Sequence, residues 1–155
     1  MNAYCCFSSP VGNILIEENE NGISSVNFTN EPPIEPPQNS KYLFEAKKQL
    51  LEYFSGERKE FNIPLSLSGT PFQLKVWEEL KKIPYGKTVC YGDIAAAVDN
   101  PKACRAVGMA IHCNPIAIIV PCHRVIGKNG SLTGFAAGLD IKQKLLSLEN
   151  AMPTT

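Results

Sequence analysis

The sequence is short of histidine, has no CxxC pair and contains no long apolar run, and each shortage argues against a class of protein. Its two histidines, His112 and His123, both lie in the C-terminal half and offer little for a structural zinc site. No apolar stretch approaches the ~20 residues a membrane span needs; the longest, around Ile116 to Pro121, suits a buried strand. The opening MNAYCCFSSP has neither a basic n-region nor a long apolar stretch, so no signal peptide is read there and a cytoplasmic location is expected. Net charge is absent too, but unevenly. Residues 1–64 carry five Lys/Arg against nine Asp/Glu, and residues 65–155 carry ten against six. A basic second half points toward an anionic partner, against the plainer alternative of two solvated surfaces.

What is present is a 155-residue chain, enough for one domain or two small lobes with a buried core. Six cysteines, at 5, 6, 90, 104, 113 and 122, are read as reduced thiols, because a chain with this much core does not depend on disulfide staples. AYCCFSS, NILIEE and GISSVNF are rich in β-formers and separated by turn material, SPVGN and NENG, which predicts an antiparallel meander. NEPPIEPPQNS, residues 30–40, reads as an extended surface loop. KYLFEAKKQLLEYFSG then predicts an amphipathic helix through Leu43, Phe44, Lys47, Leu50, Leu51 and Phe54, stopped at Gly56. A strand in EFNIPL closes an N-terminal α/β lobe near residue 66, giving lobes of 1–66 and 67–155.

The second lobe reads as mostly helical. TPFQLKVWEELKKI has Thr70 as N-cap, Pro71 at the first helical position and Phe72, Val76 and Leu80 on one face, with Trp77 joining it. YGDIAAAV and PKACRAVGMAIH, the latter capped by Asn100, form a helix-turn-helix candidate. Ala103, Ala106, Val107, Ala110 and Ile111 would face the core, leaving Lys102, Arg105 and Met109 on another side. Two β-like segments around Asn129-Gly130 suggest a hairpin or wing, and GLDIKQKLLSLEN a terminal helix.

The stretch IVPCHRVIG carries the chemistry. A thiol attacks as thiolate and needs a polar or electropositive setting to do so near neutral pH. Cys122, after Pro121 and before His123 and Arg124, is the best placed of the six. Neighbours in an extended chain point to opposite sides, so a Cys122–His123 contact would need a bridging water. Three readings stay open on these residues: a buried small hydrophobe beside a core histidine, a cysteine hydrolase, and a thiol for rarer chemistry. The hydrolase is the weaker, since no orienting group or oxyanion hole is marked.

NPIAIIVPCHRVIG with GSLTGFAAGLDIKQKLLSLE after it resembles the methylated-DNA-[protein]-cysteine S-methyltransferases, the O(6)-methylguanine-DNA methyltransferases. The resemblance extends through TPFQLKVWEEL, IPYGKTVCYGDIAAAV and NPKACRAVGMAIHCNP, about Thr70 to Glu149, and is specific at PCHRV. The first half matches only in length and order of elements. The resemblance implies an α+β chain: an N-terminal RNase-H-like α/β lobe and a C-terminal, mostly helical winged helix-turn-helix-like lobe. It implies single-turnover repair, in which Cys122 accepts the alkyl group of O(6)-methylguanine in double-stranded DNA, with O(4)-methylthymine as a secondary substrate.

Carried over residue by residue, Cys122 matches the methyl acceptor, and His123 with Glu149 the relay that draws off the thiol proton through a water. Asn114 matches a hinge asparagine, Tyr91 the tyrosine that helps rotate the nucleotide and hydrogen-bonds guanine, and Lys142 a lysine near the pocket. Arg105 matches the arginine that enters the base stack. Phosphate contacts are expected from Lys102, Lys128 and the helix N-termini at Gly92 and Asn100. No cofactor, metal, membrane or obligate protein partner is expected, and a monomer is. Zinc, bound by some eukaryotic members in the first lobe, is not expected because that lobe lacks histidine. Relatives with tryptophan at the nucleophile position are excluded by Cys122. Where many members carry Gly-Gly, this chain has Ala136 and Ala137, which would narrow the pocket against bulky adducts. A regulator that keeps Cys122 only as a sensor is the main competitor, disfavoured by the lack of a second DNA-binding or dimerisation segment in 155 residues.

Overall fold

The computed structural model describes residues 3–130, 132, 135 and 138–152. The chain is mixed α+β and divides into two compact units, Met1–Ser68 and Gly69–Thr155. Among the described residues no helix is long and apolar enough to cross a membrane.

The first unit is built on the expected meander. Strands β1 (Ala3–Ser9), β2 (Gly12–Asn19) and β3 (Gly22–Thr29) pair antiparallel in that order, with Ser9 opposite Gly12 and Asn19 opposite Gly22 across two-residue turns. Alternation puts Ile14, Ile16 and Glu18 of β2 on the buried side, where α1 (Leu43–Phe54) lies over β1 and β2. Gly22 has φ +154°, and a Cβ there would stand 2.5 Å from the Pro64 carbonyl oxygen, so this turn admits only glycine.

Three expectations change here. EFNIPL makes no strand. Pro64 lacks an N–H for a ladder, and the segment contributes one parallel bridge, Leu65 to Ile23, through Ile23 N–H on Pro64 O and Ser66 N–H on Ile23 O. The proline-rich loop is not merely a surface excursion, since Ile34 exchanges both backbone hydrogen bonds with Cys6 (2.9 and 3.0 Å) and closes the open edge of β1. The buried face of α1 is also rotated from the expected one. It is Leu43, Ala46, Gln49, Leu50 and Tyr53, while Phe44 and Leu51 are 50% and 42% exposed. Lys47, on the alternative face, pairs instead with the exposed Glu35.

Tyr42, at the N-cap of α1, offers no side-chain cap, and Glu18 takes over that role from β2. Its buried carboxylate accepts the N–H groups of Lys41 (3.2 Å), Tyr42 (2.8 Å) and Leu43 (3.0 Å). A negative charge at a helix N-terminus is favourable, and here it also ties helix to sheet.

In the second unit, Thr70 caps α2 (Pro71–Lys81) with Pro71 at its first position, as expected, and Gln73 completes a reciprocal capping box that was not anticipated. Val76, Trp77 and Leu80 are its buried residues, and the Trp77 indole donates to Ala110 O at 2.8 Å, joining α2 to α4. The helix-turn-helix is α3 (Tyr91–Ala97) followed by α4 (Cys104–His112). The second helix starts later than expected. Asn100 does not cap it; its carbonyl accepts Ala103 N–H in a preceding turn, after Asp99 at φ +61°, and Ala103 is the N-cap. Val107, Ala110 and Ile111 are buried as anticipated, but Ala106 is exposed with Lys102, Arg105 and Met109.

The run before Pro121 is buried but is not a strand; it is a chain of turns, described with the site. The first segment of the expected hairpin or wing is β5 (Val125–Ile126), which pairs in parallel with β4 (Val89–Cys90), and a turn from Gly127 to Gly130 follows. Part of that expected wing, and the expectation for Ala136 and Ala137, lie outside the described residues. The terminal helix α5 spans Leu139–Leu148.

Replacing Glu18 by alanine leaves three N–H groups without their acceptor. The expected loss is about 1–3 kcal/mol, read as a lower denaturant midpoint, with Glu18→Gln retaining part of the difference.

Candidate active site

The segment Asn114 to Arg124 delivers the thiol by turns rather than by extended chain. Asn114 Nδ2 donates to Val120 O at 2.8 Å and its Oδ1 accepts Ile116 N–H at 3.0 Å, so one amide clamps both ends of the apolar run. Between them Ile118 has φ +72°, rare for a β-branched residue, in a tight turn closed by Ile119 N–H on Ala117 O at 2.8 Å. Pro121, at φ −81° and ψ 66°, centres a second such turn, closed by Cys122 N–H on Val120 O. Cys122–Arg124 then forms a single 3-10 turn that runs into β5.

That turn buries all three side chains, and two of them, His123 and Arg124, meet the same carboxylate. The His123 Nε2 and Glu149 Oε2 are 2.6 Å apart, both side chains fully buried. Arg124 grips the same carboxylate with a fork, Nε to Oε1 at 2.8 Å and Nη2 to Oε2 at 3.1 Å. Its remaining arm, Nη1, donates to Ile83 O at 2.6 Å, and the guanidinium lies 5.8 Å from the Tyr85 ring centroid. Gly86 N–H also reaches Glu149 Oε1 at 3.3 Å; with φ +81° and a Cβ position 3.3 Å from Glu149 O, Gly86 fits because it is glycine. His123 Nδ1 is buried and has no hydrogen-bond partner among the described residues, the Cys122 thiol included.

The electrostatics are set by burial and opposed by design of the contacts. Burial pushes the Cys122 thiol up, while a hydrogen bond from the Asn114 side chain, the charge of Lys142 and backbone amides pull it down. Burial pushes His123 down; Glu149 opposes this and Arg124 and Lys142 reinforce it, so the ring is a neutral base. Lys142, on α5, is fully buried with Nζ donating to Val125 O at 2.6 Å, and burial lowers it to about 8, with Cys122 acting the other way.

Of the residues singled out in the sequence, Cys122, His123, Glu149, Asn114 and Lys142 are brought into one buried group. Tyr91 is half-buried at the start of α3, directly after β4, which pairs with β5. Arg105, Lys102, Lys128, Gly92 and Asn100 are exposed and outside that group. The sequence reading passed over the grip of Arg124 on Glu149 and the support from Ile83 and Gly86. The turn signal in IPYG was visible, but nothing local links it to a carboxylate 63 positions away. The other thiols are free: Cys5 is pushed up to about 11 by burial, Cys90 donates to Gly127 O, and Cys104 and Cys113 are exposed. Among the described residues no cluster of three His, Cys, Asp or Glu side chains is arranged to hold a metal ion.

A buried thiol beside a histidine–carboxylate couple, in the same unit as a helix-turn-helix, describes the class of cysteine nucleophiles carried on a DNA-binding type of fold. The chain belongs to the 6-O-methylguanine DNA methyltransferase family: the ribonuclease-like domain of that family matches residues 2–67 and its DNA binding domain residues 71–151. A methylated-DNA–protein-cysteine methyltransferase of Methanosarcina acetivorans is 54% identical over 96% of this chain and 98% of its own length. A constitutive one of Bacillus subtilis is 50% identical over 96% of both. The crystal structure of Mycobacterium tuberculosis O6-methylguanine methyltransferase superposes with a TM-score of 0.85 at 41% identity, covering 99% of this chain and 96% of that one. A Mycobacterium tuberculosis OGT solved in complex with DNA gives 0.82 at 40%, over 95% and 92%.

The folded Lys142 loses its proton near 8 and the unfolded one near 10.5, so the unfolded chain holds more protons between those values and stability rises with pH across them. Urea unfolding at a series of pH values should therefore show the wild type gaining on Lys142→Met from about 8 to 10.5. A constant difference between the two would contradict the assignment.

Proposed function

We propose that this protein repairs O(6)-alkylguanine in double-stranded DNA by moving the alkyl group irreversibly to Cys122. The observation that carries this reading is the buried thiol, hydrogen-bonded by Asn114 and in the field of Lys142, next to a His123 whose Nδ1 has no hydrogen-bond partner among the described residues. The Sγ proton passes through a water to Nδ1, the sulfur–carbon bond forms, and the carbon–O6 bond breaks with its electron pair going to guanine. Lys142 and the Asn114 amide stabilise the thiolate while it forms, and Tyr91 donates toward the purine as it leaves. The product is a thioether, which water does not hydrolyse, so each molecule acts once. O(4)-methylthymine offers the same type of methyl ether and is the secondary substrate.

The reacting carbon is out of reach inside a duplex, so the nucleotide is flipped out at a cost of a few kcal/mol. Arg105, exposed on α4, fills the gap and offsets part of that cost. Lys102 and Lys128, both exposed, with Gly92 in the first turn of α3 and Asn100 in the turn before α4, contact phosphates, so binding weakens as salt rises. The protein acts as a cytoplasmic monomer of two domains, 1–66 and 67–155, needing no cofactor.

Incubation with a duplex carrying O(6)-methylguanine, followed by mass spectrometry of the Cys122 peptide, should find one added methyl per protein and none in Cys122→Ala. An unmodified peptide after excess damaged DNA would defeat the reading. Arg105→Ala should slow transfer from duplex roughly tenfold, the equivalent of ~1.4 kcal/mol of lost gap filling, and leave transfer from the free modified base nearly unchanged.

A further inference from the structure

The Arg124 guanidinium has two features that a simple buried ion pair does not need. It meets both oxygens of Glu149 in a fork at 2.8 and 3.1 Å, and it is itself held from the α2–β4 connection by Ile83 O at 2.6 Å and the Tyr85 ring. The carboxylate it orients is the one in contact with His123 Nε2 at 2.6 Å. With Gly86 N–H as a further donor, the carboxylate plane is defined by contacts from two segments of chain, the Cys122–Arg124 turn and the α2–β4 connection. A carboxylate so fixed accepts from Nε2–H and leaves Nδ1 as the ring's lone-pair nitrogen, the tautomer that a base needs.

We propose that Arg124 is a positioning residue for the transfer reaction, fixing Glu149 so that His123 is held in one tautomer with Nδ1 as its lone-pair nitrogen. The inference rests on the reading of His123 as the proton acceptor. The groups that bear on the imidazole are Glu149, Arg124 and Lys142, with the Cys122 thiol on the same turn and the Tyr85 hydroxyl responding to Glu149 and Arg124. Only Glu149 favours the charged ring. Arg124 and Lys142 oppose it, together with burial. Without Arg124 the carboxylate charge acts on His123 undiminished and the ring takes a proton from solvent at higher pH, losing its capacity to accept one from Cys122.

The test is the single-turnover rate of alkyl transfer as a function of pH, normalised to the fraction of protein that becomes alkylated. Arg124→Met should move the acidic limb of the profile up by about one pH unit. A rate lowered equally at every pH, with its midpoint unmoved, would reduce Arg124 to a structural role and overturn the proposal. Should Arg124→Met fail to fold, Arg124→Gln serves instead. It keeps a donor for one carboxylate oxygen but carries no charge, so a similar shift is expected, and an unmoved midpoint again overturns the proposal. The chain has only two histidines, so ring signals of His123 can be followed by NMR without DNA. Its titration should move up in the same variants, and an unmoved titration counts against the proposal. Failure of wild-type Cys122 to be alkylated would sink the repair reading, while this titration still decides what Arg124 does to His123.

Discussion

The Glu149 carboxylate is the point on which the second unit's buried polar structure depends. It is buried, it sits just past the end of α5, and its donors come from the Ile83–Gly86 connection and the Cys122–Arg124 turn. A charge in that position is tolerable only if its lone pairs are all engaged, and a missing donor would leave an uncompensated ion in low dielectric. The cluster therefore ties three segments distant in sequence. The same contacts that make burial tolerable also hold His123 with one nitrogen occupied and the other, Nδ1, without a hydrogen-bond partner among the described residues.

Around this centre the backbone is shaped to bury a thiol without leaving it inert. An extended strand through residues 116–121 would have alternated its side chains, whereas two tight turns and a 3-10 turn bury Cys122 beside Asn114 and set His123 and Arg124 together on Glu149. The left-handed Ile118 carries a cost of about 1–3 kcal/mol. Asn114, clamping both sides of that turn, is the residue that over-determines it, and the same side chain favours the thiolate of Cys122. Structure and reactivity share one amide.

Burial makes the thiol harder to ionise, the imidazole harder to protonate and the lysine harder to keep charged. These effects do not cancel: burial favours the neutral imidazole, while Asn114 and the charge of Lys142 favour the thiolate. The β4–β5 pair then connects this interior to α3, whose first residue is Tyr91, and through the packing of α3 on α4 to the exposed Arg105. The short sheet is two residues per strand, so its role is register rather than bulk stability.

The sequence by itself determined the elements whose causes are local. The meander followed from alternation and turn residues, α2 from Thr70 and Pro71, and the helix pair from apolar spacing, since neighbouring side chains and caps decide these. The motif around PCHRV marked Cys122, and the resemblance it carried brought in His123, Glu149, Asn114 and Lys142. Tertiary structure alone decided which face of α1 is buried, that Pro64 reduces a strand to one bridge, that Glu18 caps a helix 25 positions away, and that α4 begins at Cys104. It alone decided that a run of apolar residues turns instead of extending, and that Arg124 belongs to Glu149. The physical reason is common to these cases: a buried polar group takes the partner that the fold brings to it, and that choice is invisible in local spacing.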